Sequence, residues 1–309
     1  MGKTKIEWAT DTWSPVSGCS KVSPGCTNCY AIRETNRHRN LPKYAGLVTR
    51  YPDFLGDGPL EWTREVRCHP ELLDQPLHWK KPRMIFVCSM SDLFHDKVPW
   101  EFIVKVFDVM AATPWHTYQV LTKRPGRMAH FAEHIWPRHL GPCKGWSPGA
   151  AWPPNVWAGT SLEQEWDGQK HLVRRLDCLL RVPAKVRFVS AEPLLGPLDL
   201  KPYFFKCSGC VPTPEDPICA CKGLAINWVI IGGESGPGAR PMDLAWARSL
   251  VGQCQVSGVP CFVKQLGRNP TDSELLWDSV DGKGRLLWDA KGGDMTAWPH
   301  DLRVRQMPQ

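Results

Sequence analysis

Cys19, Cys26 and Cys29 lie in the run Gly18-Cys19-Ser20-Lys21-Val22-Ser23-Pro24-Gly25-Cys26-Thr27-Asn28-Cys29-Tyr30, spaced Cys-x6-Cys-x2-Cys. The glycines and the proline let the backbone curl, so the three sulfurs can be brought towards one point. Three converging thiolates suit an iron–sulfur cluster with one iron left open, or a zinc ion with one open ligand position. A disulfide would leave one of the three over. It would also need an oxidising compartment. The opening Met1-Gly2-Lys3-Thr4-Lys5-Ile6-Glu7-Trp8 has no apolar run long enough for a secretory signal, so the expected compartment is the cytoplasm. The competing reading is three unrelated buried thiols, because a free cysteine packs as a small hydrophobe. Clustering in a Gly/Pro loop favours the metal.

A second group, Cys207, Cys210, Cys219 and Cys221, is spaced Cys-x2-Cys-x8-Cys-x-Cys and stiffened by Pro212, Pro214 and Pro217. Four cysteines are the ligand count of a closed zinc site, and the same set could hold an auxiliary cluster. Zinc is favoured. Gly232-Gly233-Glu234-Ser235-Gly236-Pro237-Gly238 is glycine-rich but neither a dinucleotide fingerprint nor a Walker loop. Gly232 and Gly233 are expected to let backbone approach a small ligand or the cluster, against the plainer reading of a tight turn. Glu192 and Glu234 suit acid–base work or the grip on a cofactor's ammonium or ribose. Lys123 and Arg124 suit a phosphate or carboxylate. For all four the plain alternative is a salt bridge.

The elements that must position these groups repeat. Short apolar runs, each ending in polar residues, are followed by stretches with helical spacing. The runs are Arg83–Cys88, Thr117–Leu121, Asn155–Gly159, Val186–Ser190, Asn227–Ile231 and Pro260–Lys264. Helices are predicted over Pro99–Ala112, from Gly126, through Leu172, Leu176, Leu179 and Leu180, and over Leu244–Val256. Continuous apolar strands alternating with amphipathic helices predict an α/β fold: a partial or complete TIM-type (β/α) barrel of parallel strands with a Cys-rich insertion. In barrels the chemistry sits at the C-terminal strand ends. Here those ends carry Ser91 and Asp92, Lys123 and Arg124, Ser161, Glu192, Gly232 to Glu234, and Lys264 and Gln265. The expected organisation is a barrel over residues 1–265, with an excursion at 40–82 and the metal-binding insertion at 203–223, then a C-terminal extension, 266–309, packed on it.

The bulk numbers bound this reading loosely. The chain has 309 residues, 42% hydrophobic and 22% charged, which is ordinary for a soluble globular protein. No stretch approaches the ~20 apolar residues a bilayer span needs. The net charge of +7 allows a polyanionic partner without requiring one. The 16 tryptophans include core residues by necessity, and some could be stacking platforms for bases.

Several segments together resemble a phage-associated three-cysteine-motif family. They are Ile6-Glu7-Trp8 through the cysteine loop, Ser89-Met90-Ser91-Asp92-Leu93-Phe94-His95, Gln119–Pro125, Val189–Pro197, Trp228–Met242 and Phe262-Val263-Lys264-Gln265. That family resembles a divergent branch of the radical S-adenosylmethionine (SAM) enzymes. The resemblance implies a partial TIM barrel in which Cys19, Cys26 and Cys29 hold a [4Fe–4S] cluster, with SAM on the open iron cleaved to a deoxyadenosyl radical. The common spacing there is Cys-x3-Cys-x2-Cys, whereas the first gap here is six residues. SAM is then expected across the barrel mouth, at the strand ends that carry Ser91, Asp92, Ser161, Glu192, Gly232, Gly233 and Glu234. Lys123, Arg124, Lys264 and Gln265 are then the candidate catalytic residues, with Arg240 beside them, facing a nucleic-acid base in DNA or RNA. An electron-donating reductase is the expected partner, and no membrane. Two other classes compete: a metal-stabilised nucleic-acid-binding module without catalysis, and a radical SAM enzyme acting on a small molecule or peptide.

Overall fold

Seven strands form one sheet, hydrogen-bonded side by side in the order in which the chain makes them. They are β1 (Asp11–Trp13), β2 (Met84–Val87), β3 (Thr117–Thr122), β4 (Val156–Ser161), β5 (Arg187–Ala191), β6 (Trp228–Gly232) and β7 (Cys261–Gln265). The computed structural model describes residues 4, 6–51, 58–140, 152–164, 170–204, 225–272 and 291–308. Pairing is parallel, with Asp11 opposite Ile85, Ile85 opposite Tyr118, Trp228 opposite Phe188 and Val229 opposite Cys261. Strand order equal to chain order, with β1 and β7 at the two ends, makes this an α/β fold of the partial rather than complete TIM-barrel type.

The strands read as continuous apolar runs because both their faces are covered. Every residue of β5 and of β6 is buried. The helices are α1 (Tyr30–Arg37), α2 (Trp100–Ala112), α3 (Pro125–His130), α4 (Trp136–Leu140), α5 (Lys170–Leu180) and α6 (Leu244–Ser257). In α2 the buried face is Phe102, Ile103, Val106, Phe107 and Met110, the expected helical spacing. Pro99 caps this helix from outside the first turn rather than within it. α6 starts on Asp243, whose carboxylate accepts from the Ala245 N–H at 2.8 Å, and stops at Gly258 with φ +65°.

The chain falls into two compact units, Met1–Gly159 and Thr160–Gln309. The first unit packs Phe107 against Phe131 (ring centroids 4.7 Å apart) and Trp152 (4.9 Å), with Trp13, Tyr118 and Trp136 fully buried nearby. The described part of its 40–82 excursion folds back on the cysteine loop. Arg67–Cys68 pairs antiparallel with Val16–Ser17, and Leu47 and Trp62 form a small core with Ala31 and Ile32 of α1. In the second unit Phe188 packs on Trp228, and the C-terminal extension runs along β7. There Val263 N–H donates to Val304 O at 2.8 Å and Gln306 N–H to Cys261 O at 2.8 Å. Trp8, Trp13, Trp62, Trp136, Trp152, Trp228 and Trp298 are all buried, which removes them as stacking platforms and makes them core. Among the described residues, no helix is long and apolar enough to cross a membrane.

Candidate metal centre

The cysteine loop follows β1 and is pinned on both sides. Before it, Gly18 has φ +84°, and a Cβ there would lie 2.1 Å from the Glu65 carbonyl oxygen. Ser17 Oγ donates to Lys43 O at 3.0 Å and sits 2.8 Å from His69 Nε2, whose Nδ1 is 3.0 Å from Glu71. Ser17, His69 and Glu71 are connected as a hydrolytic triad would be. Ser17 is only 1% exposed and its proton is spent on Lys43 O, so the group acts as a buttress. Ser91 serves the same end, its Oγ donating to Val16 O at 2.8 Å. Gly18→Ala is expected to cost about 1–3 kcal/mol, through the left-handed backbone and the clash with Glu65. Urea denaturation against the wild type checks this, and a loss within error would show that the loop can move aside.

After the loop, Cys29 occupies the N-cap of α1, and the N–H groups of Ala31 and Ile32 face its sulfur, which favours a thiolate. Burial works the other way. It is the largest influence on Cys19, whose thiol is pushed up to about 12, with Asp92 adding to the rise and Arg124 opposing it. Burial likewise raises Cys29, opposed by those helix N–H groups and by Lys123. Cys26 and Cys29 both act on Cys19, so the three sulfurs lie within electrostatic reach of one another.

Among the described residues, no group of three or more His, Cys, Asp or Glu side chains is placed to hold a metal ion. One zinc bound at ~2.3 Å by three thiolates would pull their sulfurs to about 3.8 Å apart. A cluster sends its cysteines to different irons and needs a wider set. The donor chemistry, three cysteines in one loop, is that of a cluster with one iron left open. The surroundings suit its charge as well. Arg124 lies against Cys19, and its Nε–H is buried with no hydrogen-bond partner, 3.9 Å from the exposed Asp96. An orphaned cationic donor beside a thiol fits a site built for an anion.

The strand-end charges of this unit are mutually engaged. Asp92 accepts from Thr122 Oγ1 at 2.7 Å, Arg124 Nη1 at 2.9 Å, Phe94 N–H at 3.0 Å and Lys123 N–H at 3.3 Å. The Asp92 and Arg124 side chains are 7% and 8% exposed. Burial opposes the Arg124 charge, and Asp92 and Cys19 more than compensate, so its pKa is raised. Arg124 Nη2 also donates to Ser20 O and Oγ, at 3.2 and 2.8 Å. The structure therefore places Arg124 as an internal strut between Asp92 and the cysteine loop.

In the second unit, Lys264 Nζ lies 2.6 Å from Glu192 Oε1. The register between β6 and β7 slips by one residue, so that Ile231 faces Val263 and Gly232 faces Gln265. Lys264 is the extra residue of this bulge, which re-aims its side chain. Arg240 grips Glu234 through Nη2 at 2.6 Å, Nε at 3.0 Å and its backbone N–H at 2.9 Å. A Cβ on Gly232 would come within 3.2 Å of the Glu192 carboxyl, and one on Gly233 within 2.4 Å of Leu266 O. The close approach these glycines allow is thus to the protein itself. Gln265 is buried and spends its amide on Gly233 O at 3.0 Å. Ser161 is buried and its carbonyl accepts from Arg175 at 2.8 Å.

Ser20, Thr122 and the Glu163–Arg175 pair carry no motif that would single them out. His95 falls inside a matched segment, but its partner is 75 residues away. Cys207, Cys210, Cys219 and Cys221 lie outside the described residues.

Comparison with known proteins gives three findings. The chain matches the family described as "Protein of unknown function (DUF5131)" over residues 3–295. No curated protein matches it. Among solved structures it is similar to a mutant of spore photoproduct lyase, with TM-score 0.40 and 13% identity, covering 78% of this chain and 58% of that one.

Proposed function

Because this chain belongs to the DUF5131 family, whose description leaves its function open, we propose from the cysteine loop that it is a radical-SAM-type iron–sulfur enzyme. Its cluster is a [4Fe–4S] centre held by Cys19, Cys26 and Cys29. The observation that carries this is the loop's donor set: three thiols within reach of one another, one on a helix N-terminus and one against a guanidinium with an unspent N–H. When bound, a cluster with an open iron supplies one electron to SAM chelated on that iron. The chain's own part is to hold and shield it. Ser17, Gly18 and Ser91 fix the approach to Cys19, and α1 presents N–H groups to Cys29. Asp92 keeps Arg124 charged and in place. The test is anaerobic reconstitution of the full chain, with iron and sulfide analysis, then release of 5′-deoxyadenosine from SAM after reduction. A protein that takes up no iron and sulfide overturns the proposal. One that takes up a cluster and leaves SAM intact limits it to cluster binding.

We propose a nucleic-acid base as the substrate, supported by the net charge of +7, with the electron coming from an external reductase. The phosphates are not expected at Arg124, Arg240 or Lys264, since each already holds a carboxylate. A short single-stranded oligonucleotide should bind with an affinity that falls steeply with salt, as neutralised phosphates release counterions. Lys264→Ala and Arg240→Ala should leave that slope unchanged. A slope smaller by about 1 in either variant would put a phosphate at that ion pair. Absence of binding at low salt would instead favour a small-molecule or peptide substrate.

A further inference from the structure

The cysteine loop carries a donor that the described chain does not use. Ser20 follows Cys19, and its Oγ receives two hydrogen bonds from distant residues. One comes from His95 Nε2 and one from Arg124 Nη2, both at 2.8 Å. The far side of the imidazole fixes the direction of the first. His95 Nδ1 lies 3.1 Å from the Lys97 backbone nitrogen, whose N–H can only donate. Nδ1 is therefore the acceptor and the ring proton sits on Nε2, pointing at Ser20. A guanidinium has only donors, so the second bond has no ambiguity.

A hydroxyl has two lone pairs and one proton. His95 and Arg124 fill both lone pairs of Ser20, so the proton must leave in the remaining tetrahedral direction. Among the described residues no acceptor receives it. The donor next to it shows the same pattern. Arg124 bonds Ser20 through Nη2, lies against the Cys19 thiol, and keeps a buried Nε–H without a partner. Ser20 is thus the chain neighbour of Cys19, and Arg124, in a cation–carboxylate pair with Asp92 that is buried on both sides, lies against the Cys19 thiol.

We propose that the Ser20 O–H, with the Arg124 Nε–H behind it, donates to sulfur at the cluster, either the Cys19 thiolate or a sulfide of the core, and raises the cluster's reduction potential. The inference rests on the reading of a [4Fe–4S] cluster at this loop. An added electron increases the negative charge on the sulfurs, so hydrogen bonds to them stabilise the reduced form more than the oxidised one. Ser20 is a positioning residue in this scheme, and His95 is the lock that keeps its proton aimed. Without His95 a lone pair is released and the hydroxyl can rotate.

The test is a redox titration of the anaerobically reconstituted full chain, followed by electron paramagnetic resonance of the reduced cluster. Ser20→Ala is expected to keep the wild-type iron and sulfide content. Its one-electron reduction equilibrium should shift about tenfold towards the oxidised form, a potential lower by about 59 mV. Ser20→Thr retains the hydroxyl and should titrate like the wild type. His95→Leu should shift in the same direction as Ser20→Ala, by less, and serves as the deciding variant if Ser20→Ala takes up no cluster. An unchanged potential in Ser20→Ala, or a Ser20→Thr shift as large as that of Ser20→Ala, overturns the inference while the cluster reading stands. Where only His95→Leu can be titrated, an unchanged potential there does the same. A wild-type protein that holds no cluster overturns both.

Discussion

Replacing any one of Cys19, Cys26 and Cys29 with Ala is expected to abolish cluster uptake, measured as iron, acid-labile sulfide and visible absorption after anaerobic reconstitution. The effect should be all or none because the ligands cannot be substituted locally. The loop holds no fourth cysteine, and its nearby hydroxyls, Ser23 Oγ 3.9 Å from Cys26 Sγ and Ser20 Oγ engaged by His95 and Arg124, are poorer ligands than a thiolate. Cys88 is buried behind the loop with its thiol pushed up to about 12, chiefly by burial, and is not available as a replacement. The three variants should fold like the wild type, since each cysteine is only partly buried and Cys→Ala removes one atom. Full iron and sulfide in all three would remove the loop as the cluster site.

Asp92→Ala is expected to destabilise the protein by about 3–5 kcal/mol, the range for removing one partner of a buried ion pair. Two backbone N–H groups and the Thr122 hydroxyl would lose their acceptor together with Arg124. The remaining guanidinium, 8% exposed, would keep its bonds to Ser20 but have only the distant carboxylate of Asp96 to balance its charge. Urea denaturation of the cluster-free protein measures the loss. The double variant Asp92→Ala/Arg124→Met should recover part of it, because the uncompensated charge is gone. A cost for Asp92→Ala below about 1 kcal/mol would mean that water reaches the pair.

The repeating pattern of the chain was readable because the strands are buried on both faces. Arg83–Cys88 reads as β2 and Asn227–Ile231 as β6 to within about a residue at each end, since β-branched and aromatic runs of that length leave few other options. β1 was not readable. Asp11-Thr12-Trp13 is three residues with one apolar side chain, and it becomes a strand only by pairing with Ile85 to Val87. The candidate charges at the strand ends were readable as positions and not as pairs. Whether Lys264 faces solvent or Glu192 depends on the one-residue slip between β6 and β7, which no local pattern encodes. Arg124 at the end of β3 looks like a phosphate ligand until Asp92, 32 residues earlier, is found beneath it. Ser20 had no signal at all. Its significance comes from residues 75 and 104 positions away.

The strand order bears on how such a chain can be assembled during its synthesis. From β2 onward each strand's preceding neighbour in the sheet is also its preceding neighbour in the chain, so every new strand emerges to find the edge it needs already made. The sheet can grow by accretion from its N-terminal side, without waiting for a distant partner. The cost falls on the growing edge, a row of unpaired N–H and C=O groups that advances with the nascent chain and invites pairing with a neighbouring molecule. Val304 and Gln306 close that edge along β7. Until those residues leave the ribosome this edge is sticky, and their arrival is the step that covers it.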